Sequence, residues 1–364
     1  MCTKGFLFCI FYRAGIFFIS ARGYTYGVCV LKYVHHANIL AVFQWYLPKK
    51  LNFSNILYKK TCISPAKNGI NDVVIDYDNP ERKNFMKIGF IDYYLDEWHA
   101  NNFPTWIKEY SNGEMEVAYA YAKIDSPKEG GLTTDAWCKE HNIPRVNTIE
   151  ELVEKSDAII VLSPDNAEFH EELCQIPLKS GKPVFVDKTF TDTKAAAIRL
   201  ADLAKAHNTP CYSASSLMFA EEFTSIERGS VQNIVSFSPG VLQIYAVHQI
   251  EPIMYLMGQD VDKVIFTGTA EKAAYTLSYP DGRRAHLSHH GWGASHGMIM
   301  DFKNGDAKNV MIQSDFGRVS TEDMLNFFKT GKVTIPLEDT IKVMAVIEAV
   351  LKAAKTPDTW VPVE

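Results

Sequence analysis

Residues 157–188, DAIIVLSPDNAEFHEELCQIPLKSGKPVFVDK, constrain the fold more than any other stretch of the chain. Two short, wholly apolar runs are separated by one helix-length segment, with a polar Ser-Pro-Asp-Asn turn before it and a Gly-Lys-Pro stop after it. Apolar runs that do not alternate with polar residues are strands covered on both faces, as in a parallel sheet with helices on each side. In such open sheets ligands bind beyond the carboxyl ends of the strands. Ser163 and the pair Asp187-Lys188 fall on those ends, where a lysine can meet a negatively charged or reacting group. A surface lysine following a strand is the plain alternative.

The same alternation runs through the neighbouring sequence. Strands are expected at 87–92, 116–122, 157–162, 184–186 and 211–213. Helices are expected at 100–110, 134–141, 149–155, 168–177 and 193–207. The pattern predicts a Rossmann-like, doubly wound parallel sheet over 86–216. After Leu217 it changes. Helices are expected at 219–227, 244–257, 322–329 and 337–354, and strands at 231–238, 264–268, 273–278, 298–302 and 310–313. Turns at Pro280-Asp281-Gly282 and Asn304-Gly305 separate some of these strands. Residues 217–364 therefore read as a smaller α+β domain with a mainly antiparallel sheet, its last helix returning to the first domain.

Residues 1–85 differ from both. No Asp or Glu precedes Asp72, the segment holds 16 of the 44 aromatic residues, and it carries 11 Lys/Arg against 4 Asp/Glu. Gly5–Ser20 is apolar enough to suggest a signal peptide, but Arg13 interrupts it and the run is short for a membrane span. No sustained helical or strand period is visible in 24–75. Met86 is followed at once by KIGFID, a clean first strand. The expectation is that 1–85 is a non-domain N-terminal extension, disordered or an upstream extension of the gene model. Net charge is −6, which gives no pointer to nucleic acid. The core keeps three cysteines, Cys138, Cys174 and Cys211, with no CxxC, which excludes a disulfide framework and fits a reducing cytoplasm.

Four motifs in order, LSPDNAEFH, GKPVFVDKT, HQIEPIMYLMG and GKVTIPLEDTIKVMAVIEAV, make residues 86–362 resemble the Gfo/Idh/MocA family of nicotinamide-dependent sugar and polyol oxidoreductases. The resemblance implies NAD or NADP as cofactor and a sugar-like small-molecule substrate, with no nucleic-acid or membrane partner and with a homo-oligomer left open. It implies a cofactor groove at Ser163, Pro164, Asn166, His170, Asp187 and Lys188. It makes Lys188 and His248 the catalytic pair, Lys188 on the reacting oxygen and His248 as acid/base. It places Glu251, three residues after His248, and His289 near the substrate. His286, His289, His290 and His296 lie in one strand-like stretch, where alternate residues face opposite sides, so no metal site is expected.

Two departures from the family pattern stand out. Its glycine-rich turn after the first strand lets a pyrophosphate rest on a helix N-terminus. Here that turn is Asp92-Tyr93-Tyr94-Leu95-Asp96-Glu97, with three acids and no glycine. Lys123 ends the second strand where an acid usually holds the adenine ribose. In addition, Ile244 stands one turn before His248 where the family often has Asp. The sequence thus supports an oxidoreductase, with a binding or regulatory relative that has lost the dinucleotide as the alternative.

Overall fold

The computed structural model describes the backbone of residues 28–34 and 38–44, and residues 85–364 apart from Ala270. In the first unit, β1 (Val28–Val34) and β2 (Asn38–Gln44) pair antiparallel as a hairpin. The sequence reading, which found no sustained strand period over 24–75, missed both strands. The other residues before Phe85 lie outside the described residues, and with them most of the expected N-terminal extension.

The second unit opens with β3 (Met86–Asp92), α1 (Trp98–Tyr110), β4 (Met115–Ala122), α2 (Thr134–His141), α3 (Ile149–Lys155), β5 (Ala158–Val161), α4 (His170–Leu173), β6 (Val184–Val186), α5 (Lys194–Ala206) and β7 (Cys211–Tyr212). The five strands form one parallel sheet in the order β4-β3-β5-β6-β7. All four residues of β5 are buried, the mark of a central strand covered on both faces. Gly89 is where α3 closes on the sheet: a Cβ there would meet Leu152 at 2.4 Å and the Ser156 hydroxyl at 2.5 Å. Thr133, Thr148 and Thr193 cap α2, α3 and α5, each accepting a backbone N–H three residues on.

The segment expected as one helix over 168–177 is instead a 3₁₀ turn, the single turn of α4 and a second 3₁₀ turn at Pro177–Lys179. Pro177 has no N–H to continue a ladder. Likewise 219–227 is not a helix but two 3₁₀ turns, Ser216–Phe219 and Glu221–Phe223.

The chain continues through β8 (Val231–Pro239), α6 (Leu242–Met257), β9 (Lys263–Phe266), β10 (Ala274–Ser278), β11 (Arg284–His290), β12 (Gly297–Phe302), β13 (Ala307–Met311), α7 (Phe316–Thr330), α8 (Leu337–Ala353) and β14 (Trp360–Pro362). Its seven-stranded sheet has the order β13-β12-β8-β11-β10-β9-β14 and is antiparallel except where β11 runs parallel to β8. The terminal strand β14 was not legible in the sequence. Packed between the sheet and α8, α6 buries twelve of its sixteen residues. Helix α8 packs on α6 and also on α5, where Glu348 accepts the Lys194 N–H. Among the described residues no helix is long and apolar enough to cross a membrane.

Candidate functional site

The carboxyl ends of β3, β5 and β6 bring three buried carboxylates to one edge, Asp92, Glu97 and Asp187, together with Lys188. Lys188 donates from Nζ to the Pro164 carbonyl at 3.2 Å and from its backbone N–H to Asp187 Oδ1 at 2.7 Å. The other oxygen of Asp187 pairs with His99 Nδ1. Burial opposes the charge on Asp187, but His99 and Lys188 outweigh it and hold the carboxyl below its ordinary value. His99 Nε2 has no hydrogen-bond partner among the described residues.

Helix α6 supplies the opposing wall. His248 Nδ1 lies 2.6 Å from Ser215 Oγ, and Glu251 accepts the Ser215 N–H at 2.6 Å. Residues 213–215 follow the short strand β7, so the sheet edge and α6 are tied together at this serine. Burial, and then the nearby Lys188 charge, drive the His248 pKa well below its ordinary value and keep the ring neutral. Burial raises Glu251 to about 8. His296 and Tyr245 stand beside His248, at ring separations of 6.4 and 4.9 Å, and Trp292 packs on Tyr245. His296 in turn contacts Phe316, which with Trp98, Trp106 and Arg318 lines an open hollow of about 310 Å³ between α1 and the start of α7. A larger hollow of about 820 Å³ lies at the opposite end of β8, away from these groups.

The structure thus brings Lys188, Asp187, His248 and Glu251 to one place. Pro164 touches Lys188, while Asn166 is half-buried and donates to Glu168. Ser163 does not face an open groove: its hydroxyl donates to Asp92 Oδ1 and accepts the Tyr93 N–H, both at 2.9 Å. His170, expected in the cofactor groove, is instead fully buried, its ring nitrogens against the carbonyls of Leu162, Thr189 and Phe190. It ties the ends of β5 and β6 together. His289, expected near substrate, is also core: it stacks on Tyr275, its Nε2 accepts from Gln249, and burial lowers its pKa to about 4. Even parity along β11 explains this, since His286 and His290 face outward and His289 inward. Glu251 lies behind Ser215, as a support for the His248 partner. Sequence reasoning left out Ser215 and did not commit to His99. The only signals were a serine-rich run after the last strand and a histidine just beyond the acidic turn.

That turn tests the fit of a dinucleotide. Glu97 is the N-cap of α1 and is 3% exposed; its carboxylate accepts the N–H groups of His99, at 2.7 Å, and Ala100. Those are donors that a pyrophosphate would need at a helix start. Tyr94 and Leu95 are buried in the same turn, and Asp92 Oδ2 is buried without a partner. Tyr93 stacks on Phe169, with centroids 3.8 Å apart, and Lys123 pairs with Glu172. At its pyrophosphate end the groove does not fit a classically placed dinucleotide.

The model of the Gfo/Idh/MocA oxidoreductase family, described as an NAD-binding Rossmann fold, matches residues 118–215. The fold is similar to that of scyllo-inositol dehydrogenase from Lactobacillus casei, solved with NAD(H) and scyllo-inositol, at 17% identity and a TM-score of 0.60, covering 77% of this chain and 99% of that one. It is similar to UDP-N-acetylglucosamine 3-dehydrogenase from Acidithiobacillus ferrooxidans, at 14% identity and a TM-score of 0.61, covering 75% and 98%. It also resembles GenD2 from gentamicin A biosynthesis, solved with NAD, at 13% identity and a TM-score of 0.62, covering 77% and 97%. No curated protein matches the sequence. Residues 118–215 thus match the Gfo/Idh/MocA oxidoreductase family model, and the fold is shared with the solved dehydrogenases.

Proposed function

We propose that this Gfo/Idh/MocA-type chain acts on a sugar-like or polyol substrate held between Lys188 and His248. The observation that carries the reading is that Lys188 at the sheet edge and His248 on α6 lie near enough for the Lys188 charge to disfavour protonation of the His248 ring. Lys188 donates to the reacting oxygen. His248, held at Nδ1 by Ser215, has no other hydrogen bond among the described residues and exchanges a proton with a substrate hydroxyl through Nε2. Because burial keeps this histidine neutral, one ring nitrogen keeps a lone pair to accept a hydrogen bond from a substrate hydroxyl at neutral pH. The adjoining hollow, walled by Trp98 and Trp106, suits a ring-shaped polar ligand.

In this reading residues 86–216 form the nucleotide-binding domain and 217–364 the substrate domain. The NAD-binding family supports an oxidoreductase with NAD or NADP as redox partner. Three free, buried cysteines are in keeping with a reducing cytoplasm. A second reading, a binding or regulatory relative without redox chemistry, is favoured by one observation, the Glu97 carboxylate at the helix start.

The test is calorimetric titration of the full chain with scyllo-inositol, myo-inositol and glucose, alongside a spectrophotometric assay for nicotinamide reduction. At least one ring polyol binds saturably, and Lys188→Ala or His248→Ala weakens that binding. Where turnover is seen, Lys188→Ala lowers it about 100-fold, the scale of one lost acid/base or oxyanion partner. Binding that survives both substitutions, or no binding by any of the three, overturns the reading. Polyol binding without nicotinamide reduction selects the second reading.

A further inference from the structure

We propose that Glu97 is a built-in competitor of the dinucleotide: its carboxylate occupies the anion position at the start of α1 and sets how weakly this chain holds NAD(H). Three observations converge on this side chain. It is almost fully buried, although a glutamate at a surface turn has every reason to reach water. Both of its oxygens are engaged, Oε2 with the His99 N–H and Oε1 with the Ala100 N–H. Two further buried carboxyls, Asp92 and Asp187, stand beside it, with His99 acting in the opposite sense, and burial pushes its own pKa up to about 8. Its carboxyl oxygens take their hydrogen bonds from the N–H groups at the helix start, the interactions a phosphate would use. A phosphate and this carboxyl cannot both take them.

The surrounding turn makes the arrangement rigid. Tyr94 and Leu95 fill the space that glycines would leave open, and Lys128 lies over the Tyr94 ring while donating to the Asp96 carbonyl at 2.7 Å. Asp96 Oδ2 accepts the Leu132 N–H at 3.0 Å, so this second acid of the turn is committed to the 124–132 loop and not to the helix start. The competitor is therefore one residue and not the acidity of the turn as a whole. The arrangement also fixes where α1 begins. That puts His99 where its ring meets Asp187 beside Lys188, so the turn serves the substrate end of the groove while closing its phosphate end.

The experiment is titration of the intact protein with NADH, read by the fluorescence of the bound nicotinamide and by calorimetry. Four proteins are compared: the unmodified chain, Glu97→Ser, Glu97→Gln and Asp96→Ser. Serine also caps helix starts but vacates the carboxylate's volume. Glutamine keeps the volume and cannot ionise, so the titrations are run at pH 9, above the Glu97 value of about 8, where the charge it removes is present. Glu97→Ser is expected to bind NADH about tenfold or more tighter than the unmodified chain, Glu97→Gln to fall between them, and Asp96→Ser to match the unmodified chain. Equal or weaker binding by Glu97→Ser overturns the proposal, as does an equal gain from Asp96→Ser. If Glu97→Ser loses its cooperative thermal transition, Glu97→Gln decides: affinity no better than that of the unmodified chain overturns the proposal. The readout is separate from the polyol titration. Failure at Lys188 and His248 leaves this inference standing, and failure here leaves the substrate reading intact.

Discussion

Two stretches of the same sheet edge have taken opposite courses. At the end of β6, Asp187 and Lys188 stand beside the histidine of α6, the arrangement through which a hydroxyl can be gripped and deprotonated. At the end of β3, the turn that serves a phosphate in dinucleotide-binding proteins is filled by the buried Asp92, Tyr94, Leu95 and Glu97. The difference teaches that the two ends of a nucleotide groove are energetically separable. The end at β6 depends on side chains brought from the sheet edge and from α6. The phosphate end depends on bare backbone N–H groups, and one buried carboxylate is enough to satisfy them.

The largest effect that would sharpen this contrast lies in the ion pair linking the two stretches. Asp187→Asn leaves the buried Lys188 without its counter-charge and His99 Nδ1 with a weaker partner, and is expected to cost about 3 kcal/mol or more of unfolding free energy in urea denaturation. A loss below 1 kcal/mol would show that the two stretches are not coupled through this pair.

A somewhat smaller effect follows from Glu251. Its pKa is raised to about 8 in the folded protein, so between the ordinary glutamate value and pH 8 the folded state holds a proton that the unfolded state has released. Stability from this group therefore falls as pH rises through that window and levels off above it. Glu251→Gln, which keeps an acceptor for the Ser215 N–H, is expected to remove roughly 3 kcal/mol of the decline between pH 5 and pH 8, measured by denaturation at each pH. An unchanged slope would place the titrating group elsewhere. Glu97, also raised to about 8, contributes in the same direction, so Glu97→Gln and Glu251→Gln together should flatten the profile further.

The smallest effect concerns the link between sheet and α6. Ser215→Ala removes the partner of His248 Nδ1 and is expected to cost about 1 kcal/mol in stability, with weaker polyol binding from a less firmly oriented ring. A variant as stable as the parent that binds polyol equally well would remove Ser215 from the site.

The sequence by itself determined the class of fold and the sheet edge on which Lys188 stands. Unbroken apolar runs separated by capped helices can be satisfied only in a sheet covered on both faces, and that logic located β3 to β7 and the edge carrying Asp187 and Lys188. It also exposed the missing glycines, because the absence of a residue type is local information. What local pattern could not carry was direction. His170 and His289 looked like site residues and are core, since strand parity and the fold of the 163–170 turn aim them inward. Short 3₁₀ turns replaced two expected helices because tertiary packing around Pro177 and Phe223 outweighed weak helical periodicity. Ser215, and the pairing of His99 with Asp187, depend on residues far apart in the chain. The sequence shows three acids in the turn after β3; only the tertiary structure decided that one of them bends back onto its own helix, because that choice rests on which N–H groups are left free once the sheet has closed.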